Sequence, residues 1–144
     1  MPLVKRSVLV AHSARKMFEL VQKVEDYPKF LPWCGGSSVK HLDDGGVLAS
    51  VDIDFKGLKQ TFSTVNRHTP FSEIRLLLQK GPFSALSGSW KFNTLEENAC
   101  EVQFELNYSF AAGLLGPLLT PVFDAIAGSF IDAFVARAEQ LYGG

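Results

Sequence analysis

The sequence predicts an α+β fold in which a seven-stranded antiparallel sheet curves around one long C-terminal helix, with one or two short helices after the first strand. Three observations predict it. Cys100, Val102, Phe104, Leu106, Tyr108 and Phe110 alternate with Glu101, Gln103, Glu105, Asn107 and Ser109, the period of a strand with one wet and one dry face. Turn signals at Asp44-Gly45-Gly46, Lys56-Gly57, Gly81-Pro82 and Glu96-Glu97-Asn98 cut the middle of the chain into successive hairpins. From Leu114 to Tyr142 the period changes. There Leu115, Leu119, Val122, Phe123, Ile126, Phe130, Phe134 and Leu141 recur at three- and four-residue steps. Asp124, Gly128, Asp132 and Glu139 lie opposite them, so the segment reads as a strongly amphipathic helix, and the dry face of the sheet is its partner.

Each element has its own reason. Leu3 to Val10 is short and β-branched between Pro2 and His12, a first strand. Ser13 is an N-cap, and Met17, Phe18, Leu20, Val21 and Val24 follow it at helical spacing. Pro28 and Pro32 allow only short helical turns before Gly35-Gly36 release the chain into the sheet at Ser37–Leu42. Val47, Val51, Ile53 and Phe55 form the next strand, alternating with Ser50, Asp52 and Asp54. Leu58–Arg67 follows, with polar residues on both faces, until Thr69-Pro70 ends it. Ile74, Leu76 and Leu78 open a fifth strand. Leu86, Gly88, Trp90 and Phe92 share one face of the sixth.

The 144 residues fit a single domain spanning 1–144 with a sizeable core. Apolar residues make up 47% and charged residues 20%, which is a globular balance without a disordered tract. A net charge of -1 argues against general nucleic-acid binding, DNA included. Residues 1–40 nevertheless carry seven Lys/Arg against three acids, and residues 92–144 carry one Arg against seven acids. The amino-terminal side is either a solvated basic surface or a dock for an anionic partner. Two cysteines, Cys34 and Cys100, make no disulfide framework and no metal spacing, so a reduced, cytoplasmic setting is the default. Leu106 to Phe123 is an uncharged run of eighteen residues, but Gly113, Gly116, Pro117 and Pro121 break it and it does not read as a membrane span.

Enzymatic signatures are absent: no phosphate-cradling glycine loop, no nucleophile elbow, no paired-histidine metal motif. His12, His41 and His68 stand beside turns or strand ends and read as surface residues. Cys34 lacks an identifiable base, Cys100 reads as a small core residue, and Asp52 and Asp54 share a solvated strand face. The inward aromatics carry more information. Phe55, Trp90, Phe92, Phe104 and Tyr108 from the sheet face Phe123, Ile126, Phe130 and Phe134 from the helix. They are either a filled core or the lining of an apolar ligand cavity. Arg137 falls on the same helical stripe, where it must be paired, reach out to solvent or meet a ligand. The uncharged stretch from Phe110 to Pro121 joins the last strand to the helix. It is a tucked connector or an apolar entrance, formed by Leu114, Leu115 and Leu118, that touches a membrane surface.

Two motifs carry a family resemblance. Tyr27-Pro28-Lys29-Phe30-Leu31-Pro32-Trp33-Cys34, followed by Ser38-Val39, resembles the signature of the coenzyme Q-binding family of START-like proteins, whose bacterial branch is the ribosome association toxin family. Gly81-Pro82-Phe83 with Leu86, Gly88, Trp90 and Phe92 is similar to that family's G-P-F-x-x-L-x-G-x-W-x-F run. The resemblance covers essentially the whole chain. It implies a helix-grip fold within the polyketide cyclase superfamily, and it places Pro32 and Trp33 in the family motif beside the entrance. The chain shows no mitochondrial presequence, which suits the bacterial branch. Eukaryotic members imply a bound ubiquinone or related isoprenoid lipid, with no other cofactor, held non-enzymatically in support of respiration. The expected location is then cytoplasmic, with peripheral contact to the inner membrane. A bacterial member implies the alternative, a toxin that binds the large ribosomal subunit and blocks subunit association. The wider superfamily implies a third reading, cyclase- or aromatase-type catalysis.

Overall fold

A computed structural model describes residues 3–55, 58–110 and 115–143, the side chains at 58, 115–120 and 122 excepted. Strand β1 (Leu3–Val10) leads into helix α1 (Ala14–Gln22) and a 3-10 turn (Val24–Lys29). Six strands follow: β2 (Cys34–His41), β3 (Val47–Phe55), β4 (Leu58–Thr69), β5 (Glu73–Lys80), β6 (Phe83–Glu96) and β7 (Ala99–Phe110). Helix α2 (Leu115–Tyr142) completes the chain. The strands form one sheet in the order β1-β7-β6-β5-β4-β3-β2, every neighbouring pair antiparallel. Six of them are thus a meander, and the first strand is added beside the last.

Local chemistry sets the boundaries. Ser13 caps α1 as its sequence position predicts, its Oγ accepting from the Lys16 N–H at 3.1 Å. The 3-10 turn is tied back to α1 by Tyr27, whose hydroxyl donates to the Val21 carbonyl at 2.6 Å. Ser37 Oγ donates to the Val24 carbonyl at 2.7 Å, and the Asp54 N–H donates to the Trp33 carbonyl at 2.7 Å. These bonds pin the proline-containing segment against β3. Strand β2 begins three residues earlier than its sequence pattern suggests, because Gly35 is taken into the ladder as a bulge between Cys34 and Gly36. Gly88 is required where β6 passes β7: a Cβ there would stand 2.7 Å from the Glu105 carbonyl oxygen. The turn expected at Lys56-Gly57 lies outside the described residues.

The dry face of the sheet and the inner side of α2 make the core. Val102, Phe104, Leu106 and Tyr108 from β7 meet Ile126, Ala127, Ile131, Phe134 and Ala138 from α2, all almost fully buried. The helix is less amphipathic than the spacing of its large residues predicts, since Ala125 and Ala136 occupy exposed positions on its outer side. Leu141, expected on the stripe, is 51% exposed, and Ala138 takes the inner position near that end. Helix α1 closes the other side of the core, burying Ala14, Met17, Phe18, Leu20 and Val21.

Candidate ligand chamber

A cavity of about 60 Å³ lies between the concave face of the sheet, the α1–3-10 segment and α2. Its wall is aromatic at both ends. Trp33, Trp90, Phe104 and Phe130 crowd one end, with Trp90–Phe104 ring centroids 4.6 Å apart and Trp33–Phe130 5.1 Å apart. Phe62 and Phe123, 6.1 Å apart, close the other. Ala49, Val51, Ile74, Leu76, Leu86 and Leu106 make the floor from four strands, and Val21, Val24 and Tyr27 make a side wall. Among the described residues, only Gln22, Thr64 and Asn66 bring polar side-chain groups to the wall besides the Tyr27 phenol and the Trp33 and Trp90 indoles.

The structure sorts the aromatic set expected from sequence. Trp90, Phe104, Phe123 and Phe130 line the cavity. Phe92, Tyr108, Ile126 and Phe134 are buried beside it in the core, and Phe55 is half-buried, none of them in its wall. The Tyr108 hydroxyl is buried without a hydrogen-bond partner among the described residues, and its ring stands 4.7 Å from that of Phe123. Of the motif residues expected beside an entrance, Pro32 is exposed, whereas Trp33 is 4% exposed and belongs to the wall. Leu114 and the side chains of Leu115 and Leu118 lie outside the described residues.

Arg137 is half-buried and turned away from the cavity. Its guanidinium carbon stands 5.3 Å from the Phe30 ring centroid, and Nη1 donates to Gln140 Oε1 at 3.3 Å. This is the outward, snorkelling arrangement, strengthened by the ring face. The aliphatic stem leaves Nε buried and, among the described residues, without a partner.

The other titratable groups among the described residues lie as follows. His12 corrects the surface reading: it is 7% exposed and Nε2 donates to Glu139 Oε1 at 2.8 Å, which clips the β1–α1 link to the end of α2. His68 is half-buried with its ring edge-on to Phe18 at 5.7 Å. Cys34 is buried, and burial pushes its thiol above the usual range, a shift that backbone hydrogen bonding at Gly36 opposes and Asp52 increases; separately, Sγ donates to the Gly36 carbonyl at 3.3 Å. It is therefore no nucleophile at neutral pH. Cys100 is fully buried, as expected of a core residue. Burial also drives the Tyr27 phenol far above its ordinary range. Among the described residues no group of histidine, cysteine and carboxylate side chains could hold a metal ion.

Sequence reading missed Gln22, Phe62, Thr64 and Asn66. The signal was there in β4, where Phe62, Thr64 and Asn66 stand two apart and so share the inward face.

The model of the family described as polyketide cyclase / dehydrase and lipid transport matches residues 10–135. The chain belongs to that family. The ribosome association toxin RatA of Vibrio cholerae is 40% identical over 143 residues, 99% of each chain. The mitochondrial coenzyme Q-binding protein COQ10 homolog B of Xenopus laevis is 24% identical over 95% of this chain and 58% of its own. Among solved structures, the Zhui aromatase/cyclase from Streptomyces sp. R1128 has a TM-score of 0.84 at 18% identity, over 96% of this chain and 94% of that one. That likeness is one of fold. The sheet gripping a C-terminal helix is thus the family's START-like architecture, as the two motifs imply.

Proposed function

We propose that this member of the polyketide cyclase / dehydrase and lipid transport family is a non-enzymatic binder of a hydrophobic ligand, an isoprenoid quinone or related lipid, held between the sheet and α2. One observation carries the reading: the enclosed space is walled by apolar side chains, with no acid–base pair facing it among the described residues. Such a site supplies burial and shape, which are what an apolar ligand needs, and no proton-transfer machinery, which a cyclase needs. The family's description includes lipid transport, and the frog relative is named for binding coenzyme Q. No helix of the described residues is long and apolar enough to cross a membrane. Exchange with a bilayer is then a surface event, for which the uncharged residues 110–121 are the proposed contact.

The volume makes a condition. At about 60 Å³ the cavity is less than half the roughly 150 Å³ in which an apolar site holds benzene, so a ring enters only when the chamber widens. Organic extraction of protein purified from its native host, followed by mass spectrometry, is expected to yield a quinone or isoprenoid lipid. Repeatedly empty protein, with no uptake of added ubiquinone, would sink the reading.

The full-length likeness to a ribosome association toxin supports a second reading, in which the chain binds the large ribosomal subunit. Three of its amino-terminal cations are already engaged within the chain. Arg15 pairs with Glu19 at 2.9 Å, Lys29 with Asp26 at 3.2 Å, and Lys16 stands 5.4 Å from the Tyr142 ring centroid. Co-sedimentation with large subunits at physiological salt, from protein that carries no lipid, would reverse the order of the two readings.

A further inference from the structure

The inner face of β4 departs from its neighbours. Phe62, Thr64 and Asn66 stand opposite Val51, Ala49 and Val47 of β3, so they occupy the dry side of the sheet. The same face of β5 carries Ile74, Leu76 and Leu78. Two polar residues in that setting are costly unless their hydrogen-bonding groups are matched. Thr64 is 6% exposed and Asn66 5%, and both line the chamber. A bulge between Ser63 and Thr64 lies at the start of this pair, the kind of irregularity that re-aims side chains beside a site.

Their chemistry is half satisfied. The Thr64 hydroxyl donates to Asn66 Oδ1 at 2.6 Å, which fixes the amide plane and leaves Nδ2 as the free end. Among the described residues that Nδ2 has no acceptor; the atom itself keeps slight exposure, while the side chain as a whole is more than nine-tenths buried. An amide carries two donors there. Around it stand flat aromatic walls, Trp90 and Phe104 at one end and Phe62 and Phe123 at the other. We propose that Asn66 is the specificity-determining contact of the chamber, donating from Nδ2 to the carbonyl oxygen of a flat ring, with Thr64 as the residue that orients its amide. The inference rests on the reading of the chamber as a ligand site and adds the chemical class. The ligand is a ring ketone or quinone rather than a hydrocarbon or a plain isoprenoid chain, because only an acceptor completes the amide.

Two probes of one skeleton test this: duroquinone, and durene, the same tetramethyl ring without carbonyls. Each is titrated into the full chain, with dissociation constants and the Asn66 side-chain NH₂ resonance followed by NMR. The resonance is expected to shift with duroquinone and stay nearly still with durene. Asn66→Leu, with the same branching and number of side-chain heavy atoms but no amide, is expected to move the ratio of the two constants toward durene by roughly 3- to 10-fold, the worth of one neutral hydrogen bond. If both probes bind and the Asn66 resonance ignores duroquinone, or Asn66→Leu leaves the ratio unchanged, the carbonyl contact is wrong while the chamber reading stands. If neither probe binds the wild-type chain, both fall. The resonance in the wild-type chain decides the matter even where the variant folds poorly.

Discussion

At the scale of single residues, the row that carries Thr64 and Asn66 continues to His68, and its chemistry predicts a pH response. Burial, followed by the nearby His41, holds the His68 ring below its ordinary value of 6.5. The unfolded chain therefore binds a proton near pH 6.5 that the folded chain resists. Between those two values the unfolded state holds more protons, so stability rises with pH and falls as pH drops below 6.5. Urea unfolding at stepped pH is expected to show this loss, and His68→Gln to flatten it; an unchanged slope in the variant would refute the assignment. Individual residues also mark how far the sequence could be read. Ser13 as a cap and Cys100 as core were legible because each depends on its immediate neighbours. The burial of His12 was not, since its partner Glu139 lies at the far end of the chain. Thr64 and Asn66 were passed over because a strand with polar residues on both faces looks merely wet. Only the register against β3 reveals which of those residues face inward.

At the scale of the element, α2 joins the core to the chamber, and two of its phenylalanines separate the roles. Phe134 is 1% exposed, with ring contacts to Tyr27 at 5.2 Å, Phe30 at 5.2 Å and Trp90 at 5.1 Å. Phe130, one turn earlier, lines the cavity and is only half-buried. Phe134→Ala is expected to destabilise the fold by about 3–5 kcal/mol, the usual cost of such a truncation in a packed site. Phe130→Ala is expected to cost less, because it enlarges an existing space, and to change ligand affinity more. Denaturant midpoints of both variants, with ligand titrations beside them, check the split; equal losses of stability would place both rings in one solid core. The helix was legible in outline, Leu115–Tyr142 against an expected start at Leu114. Its fine pattern was not. Large residues dominated the reading, while Ala127 and Ala138, 1% and 0% exposed, also belong to its buried side. The succession from β2 to β7 was recoverable from hairpin signals, whereas the place of β1 beside β7 and the bulge at Gly35 depend on pairing that no local pattern contains.

At the scale of the molecule, the chamber is a small space, about 60 Å³, so uptake of a ring-sized ligand is expected to require widening. Widening it is expected to involve α2, which covers the concave face, more than the sheet, whose strands are paired in one continuous ladder. Hydrogen exchange by the empty protein is then expected to be faster in the ligand-facing part of α2 than in the centre of β7, and to slow in α2 when a quinone binds. Uniform protection of the two would mean that the chamber opens elsewhere. Saturation should also raise overall stability, by about 2.7 kcal/mol at a free ligand concentration near 100 times the dissociation constant. The pairing of β1 with β7 has a further consequence, this time for assembly. Val10 meets Cys100 and Leu3 meets Asn107, so the first strand has no sheet partner until nearly all of the chain is available. The meander from β2 to β7 closes only short loops and can form by local contacts, whereas the β1 closure bears the entropy of a long one. If β1 docks after the meander has formed, a destabilising change such as Val8→Ala is expected to raise the unfolding rate more than it lowers the folding rate.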